Sequence, residues 1–134
     1  MLGEKIGEEK GKVTVRRVLA SAGGGPRMET TFEASGSILG VGHKTTATYA
    51  SEMRPDGTLY GEGQGIAMSS EGGGATWVGS GVGTIKADGS VSYRGVVYYQ
   101  TSVAKWTRLN SVGAVFEYEV DPQGNTRAQF WEWK

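Results

Sequence analysis

Tyr49, Tyr93, Tyr99 and Tyr118 fall, with Trp77 and Phe116, on the apolar parity of alternating segments. A phenol offers an apolar ring and one directional hydrogen bond, so such a set suits a small, largely apolar molecule with a polar handle. The same residues would also fill a solid core. Asn110 shares the inward parity near a strand end and adds a polar group, either for a ligand or to cap backbone. Glu117 and Glu119 are spaced as a carboxylate pair on one strand face. Acid–base work needs two different environments, and both read as exposed, with Arg127 opposite Glu119. Arg17 and Glu132 take inward parities on the first and last strands, where a closed sheet would pair them at one mouth; fraying into solvent is the simpler reading. Lys105, Trp106 and Arg108 make a basic aromatic loop that could touch an anion. His43 follows Gly40-Val41-Gly42 in a turn and reads as a surface histidine. One histidine and no cysteine leave no multi-histidine or thiolate metal site and no cysteine nucleophile, so neither metal nor cofactor is expected.

These side chains need a scaffold, and the stretch from Leu59 to Tyr99 describes it. Gly61, Gly63 and Gly65 alternate along one segment, and Gly79, Gly81 and Gly83 along the next. Period two is the period of a strand, so each trio lies on one face. Glycine in a strand marks a bend or the close approach of another group. Folding the two segments about Gly72 pairs Gly65 with Gly79, Gly63 with Gly81 and Gly61 with Gly83. The trios then form one floor without side chains, on which aromatic rings can lie. No phosphate-loop ending follows these glycines.

The rest of the chain alternates in the same way. Lys12 to Ala20 places Val13, Val15 and Leu19 on one side; Met1 to Gly11 is polar and reads as a frayed terminal segment. Met28, Thr30, Phe32, Ala34 and Ile38 share a face, as do Thr45, Ala47, Tyr49, Ser51 and Met53. Pro55-Asp56-Gly57, Ala87-Asp88-Gly89 and Pro122-Gln123-Gly124 are three-residue hairpin loops with a left-handed glycine. They set Met53 against Leu59, Gly83 against Tyr93, and Asp121 against Asn125. Ser102 to Thr107 is a longer connection, followed by a strand from Arg108 to Asp121. The last hairpin sends Phe116, Tyr118 and Phe130 inward and Glu117, Glu119, Trp131 and Trp133 outward. The pattern is eight strands of about ten residues without a helical period. It predicts one all-β domain over residues 1–134, an antiparallel up-and-down barrel, with a β-sandwich as the alternative.

Fourteen basic and fourteen acidic residues balance, so charge gives no reason to expect nucleic acid or an acidic membrane as partner. No signal peptide or membrane-spanning apolar run is evident, and a cytoplasmic protein is expected.

The segments Leu59–Gly65 and Trp77–Gly83, with Tyr93-Arg94-Gly95, Leu109-Asn110 and Phe116–Asp121, resemble a group of small uncharacterised bacterial β-barrel proteins. The architecture is similar to calycin-like barrels, including the allene oxide cyclase type. The likeness spans about Arg27 to Trp133. Those cyclases act on an unsaturated fatty-acid epoxide in an apolar barrel cavity, mostly by steering its conformation. The resemblance implies a barrel; none of their catalytic residues maps onto a position here, so the activity is not carried over. The leading expectation is binding of a small, largely apolar ligand inside the barrel. A cofactor-free isomerase or cyclase in the same cavity is the second. A filled barrel that associates with protein through its outer face, as a homo-oligomer, is the third.

Overall fold

The computed structural model describes residues 1–134. Its strands are β1 (Leu2–Leu19), β2 (Arg27–Ile38), β3 (Val41–Met53), β4 (Leu59–Ser69), β5 (Gly74–Ile85), β6 (Val91–Thr101), β7 (Gly113–Val120) and β8 (Asn125–Trp133). Each pairs antiparallel with the next, and β8 pairs with β1 to close the barrel. The sandwich alternative falls, because closure leaves no sheet edge. No helix is long and apolar enough to cross a membrane.

Four hairpins share one loop geometry. Hydrogen bonds from Arg54, Ser69, Lys86 and Asp121 N to the carbonyl four residues on close three-residue loops. Each loop ends in a left-handed glycine: Gly57, Gly72, Gly89 or Gly124, with φ between 85° and 97°. Three of these loops fix the register anticipated from sequence, including Met53 with Leu59, Gly83 with Tyr93 and Glu119 with Arg127. The fourth differs by two residues. Gly61 faces Gly81, Gly63 faces Gly79, and Gly65 faces Trp77. Consecutive glycines at 72 and 73 offer two equivalent closures, and the chain uses Gly72. A two-residue shift preserves parity, so the floor keeps its face.

The N-terminal segment is not frayed. Gly7 to Lys12 pairs with both β2 and β8, and Ile6 and Glu9 are buried. A bulge between Val13 and Val15 then inverts the parity of β1. Val15 is consequently exposed, and Arg17 points outward to Glu29 at 3.1 Å. The Arg17–Glu132 pair, the less favoured of the two readings, does not form. Antiparallel pairing puts these residues at opposite ends of the barrel, and Glu132 is bonded by Arg108.

The connection after β6 is a 3-10 helix, Ala104–Ser111, rather than a loop running into a strand. Its period of three stacks Trp106 and Leu109 on one face, and both are fully buried. Trp106 donates Nε1–H to the Ile38 carbonyl at 2.9 Å, so the helix plugs one end of the barrel. The basic groups beside it are engaged: Lys105 with Glu71 at 2.9 Å, Arg108 with Glu4 and Glu132. They form no open anion site.

Following paired residues around the barrel gives its stagger. The row runs Met53, Leu59, Gly83, Tyr93, Tyr118, Ala128, Glu9, Gly36 and returns to β3 at His43, ten residues from its start. A stagger larger than the strand number tilts the strands and widens the interior. Glu9 and Tyr118 share this row with only Ala128 between them.

Candidate functional site

The interior is organised by which inward positions lack side chains. The indole of Trp77 lies over Gly65, where a Cβ would come within 2.4 Å of the ring. The Tyr93 ring covers Gly83 and Gly61, and Tyr49 packs against Gly63. The glycine floor is thus partly roofed by aromatics from neighbouring strands. Phe32, Tyr49, Tyr93 and Tyr118 form a cluster with ring centroids 5.2–6.1 Å apart, and Tyr49 meets both Tyr93 and Tyr118 edge to face.

Between the floor and this cluster is a cavity of about 60 Å³. It is bordered by Tyr49, Trp77, Tyr93, Phe116 and Tyr118, by Phe32, Val97 and Phe130, and by the carboxylate-bearing Glu9. Glu62 and Ser80 also border it, although alternation sends their side chains outward. At the glycine floor the main chain itself is the wall.

The phenols are firmly protonated. Burial pushes Tyr93 up to about 12, against a hydrogen bond with Ser51 Oγ at 2.7 Å. Burial likewise raises Tyr49 and Tyr118, which share a long hydrogen bond of 3.4 Å donated by Tyr118. All three present neutral donors at ordinary pH.

Glu9 is the one buried acidic residue of the interior. Its Oε2 accepts from His43 Nε2–H at 2.8 Å and from Thr45 Oγ–H at 3.0 Å. Both hydrogen bonds end on the same oxygen; Oε1 has no protein partner. Glu9 is 6% exposed and the His43 ring is fully buried, edge-on to Trp106. The pair therefore stands on the plug, with the aromatic cavity on its other side. His43 is not a surface residue. Its Nδ1 is sealed from solvent and has no partner.

Of the residues singled out from sequence, Tyr49, Trp77, Tyr93, Phe116 and Tyr118 border one cavity. Tyr99 is inward and buried but lies outside the cavity lining; burial, with the nearby Glu9 charge, pushes its phenol up. Asn110 is exposed on the helix and caps β6, accepting from Thr101 N–H at 2.8 Å and donating to Thr101 O at 2.9 Å. Glu119 lies opposite Arg127 but bonds Arg94 at 3.2 Å and Lys86 at 3.6 Å instead. Sequence reasoning missed Glu9, His43 and Thr45. The signal was present: Gly7, Glu9 and Gly11 repeat the alternation of the glycine floor around a carboxylate. A Cβ on Gly11 would fall 1.9 Å from Glu33 O, so β1 and β2 approach too closely for side chains there. No group of three or more metal-ligating side chains converges anywhere.

On the outside, Val78 faces Tyr98, Val96 faces Val115, and Val115 faces Trp131 across β5 to β8. Val78, Tyr98 and Trp133 are exposed, and Trp131 is half-buried.

No protein-family model matches the chain, and no curated protein matches its sequence. Solved structures do. A conserved protein of unknown function from Rhodopseudomonas palustris superimposes with a TM-score of 0.84 at 9% identity, covering 98% of this chain and 97% of that one. A β-barrel-like protein from Acinetobacter baumannii gives 0.83 at 10% identity, covering 100% and 96%. An enzyme from Penicillium herquei gives 0.67 at 15% identity, covering 96% and 92%. The chain shares its barrel with these uncharacterised bacterial proteins; identities this low establish the fold alone.

Proposed function

We propose that the barrel binds a small, largely apolar molecule in the cavity over the glycine floor. The observation that carries this reading is the convergence of seven aromatic side chains, all placed inward by strand parity, on one void that Glu9 also borders. A filled interior would leave no such space. The void is smaller than the ~150 Å³ apolar cavity that accommodates benzene. The ligand is therefore compact, or it displaces the half-exposed Trp77 as it enters. Because burial of so little apolar area is offset by the cost of association, affinity is modest.

The test is saturable quenching of tryptophan emission by a panel of small apolar probes. Tyr49→Ala and Trp77→Ala change the binding, while Trp131→Ala on the outer face leaves it unchanged. Equal loss from all three variants, or no saturable binding by any probe, overturns the reading and favours association through the outer face.

A second reading is a cofactor-free isomerase or cyclase. It is favoured by the Glu9 oxygen left without a protein partner beside neutral phenols, and by the description of one structural relative as an enzyme. A general base needs an oriented carboxylate, and stabilising developing negative charge needs donors that keep their protons. On this reading Glu9→Gln retains ligand and loses turnover.

A further inference from the structure

The charge inside the barrel is lopsided. The cavity is bordered by the carboxylate of Glu9 and by no lysine, arginine or histidine. His43 stands behind Glu9 and gives it one N–H, and Nδ1 faces no acceptor. That N–H ends on Oε2, as does the Thr45 hydroxyl, and neither reaches Oε1. Oε1 of that carboxylate is unpartnered, in a residue 6% exposed. The same cavity is bordered by the rings of Phe32, Tyr49, Trp77 and Tyr118.

An anion buried in an apolar cavity with one free oxygen calls for a donor, and a charged donor compensates it best. Aromatic faces attract cations through their quadrupoles, most strongly where water is excluded. A carboxylic acid would meet Glu9 as a like charge. A neutral alcohol would satisfy Oε1 but leave the charge uncompensated.

We infer that the cavity selects organic ammonium ions, with the N⁺–H of a primary amine on Glu9 Oε1 and a short apolar tail among the aromatic rings. The inference rests on the ligand-binding reading and names the class of ligand. The void of about 60 Å³ limits the occupant to an ammonium head and a few carbons unless a ring moves. Thr45 and His43 hold the carboxylate from the opposite oxygen, so the receiving atom is fixed before the amine arrives.

The experiment compares three four-carbon probes on the intact protein: n-butylammonium, 1-butanol and butyrate. Binding is followed by NMR shifts of the Tyr49 and Trp77 ring signals and of the His43 ring protons. The expected order is butylammonium over butanol by roughly ten-fold or more, with butyrate weakest. Glu9→Gln erases the preference for the amine over butanol. Should Glu9→Gln fail to fold, the order in the wild-type protein and the shift of the His43 signals decide alone. Butanol or butyrate binding as tightly as the amine, or a preference that survives Glu9→Gln, overturns the ammonium inference while leaving the cavity a binding site. Absence of binding by all three probes overturns the inference, and failure of the apolar panel as well overturns the ligand-binding reading beneath it.

Discussion

Glu9 and His43 sit on strands that do not pair with each other, yet their side chains meet at 2.8 Å across Gly36 of the strand between. The glycine is the reason. A Cβ at Gly36 would fall 2.7 Å from Glu9 Cα and 1.9 Å from Glu8 O, so β1 and β2 can approach only because it is absent. Removing one partner leaves a buried charge short of a donor. His43→Leu is expected to cost about 1–3 kcal/mol or more, whereas Glu9→Leu combined with His43→Leu costs much less than the two single changes added. Urea unfolding of the four proteins closes the cycle, and additivity would show that the contact carries no coupling.

The glycine floor predicts a second set of costs. At Gly63 a Cβ would lie 2.6 Å from Tyr49 Cβ, and at Gly81 it would lie 2.9 Å from Arg94 O. Gly63→Val and Gly81→Val should each destabilise by about 1–3 kcal/mol through overpacking. Unchanged thermal melts in both variants would contradict the inward placement of these positions.

The plug is tested through Trp106. The ring is wholly buried and its N–H is used on Ile38 O. Trp106→Ala should cost about 3–5 kcal/mol. Trp106→Phe, which keeps most of the volume but strands the carbonyl, should cost about 1–3 kcal/mol. Chemical denaturation of both variants separates the packing from the hydrogen bond.

The buried phenols give a pH dependence. Tyr49, Tyr93, Tyr99 and Tyr118 are all raised, chiefly by burial, Tyr93 to about 12. A phenol that holds its proton more tightly when folded stabilises the fold fully below the unfolded pKa of about 10. That contribution is lost as pH rises through the folded values. Stability should therefore begin to fall above about pH 10 and keep falling through 12, and ultraviolet titration should find these four tyrosines ionising late. Ionisation of all six tyrosines in one step near the ordinary phenol value would refute their burial.

Much of this architecture could be read from the sequence where turn chemistry was unambiguous. Pro55-Asp56-Gly57 and Ala87-Asp88-Gly89 each fix a register, and parity then places Tyr49, Tyr93 and Trp77 inward without further information. Where two closures were equally good, as at Gly72 and Gly73, the register slipped but the faces survived. Parity failed at Val15 because a bulge leaves no mark in an alternating pattern. Nor could parity pair Arg17 with Glu132, because strand direction, not parity, decides which end a residue occupies. Glu9 and His43 were passed over for a different reason. A charged residue near a terminus and a histidine in a turn look solvated one at a time, and only the registers of β1 and β3 on β2 set them face to face across Gly36.

Closure has a kinetic side. The seam between β1 and β8 joins residues far apart in the chain, Gly7 with Phe130 among them. Such pairings carry the largest loop-closure cost and form slowly. Glu9 lies on one side of that seam and Tyr118, beyond Ala128, on the other. An open sheet thus holds every strand of the wall and no cavity. A molecule that occupies the site bridges both sides of the joint, so it should act on the lifetime of the closed ring, slowing its opening far more than it speeds its assembly.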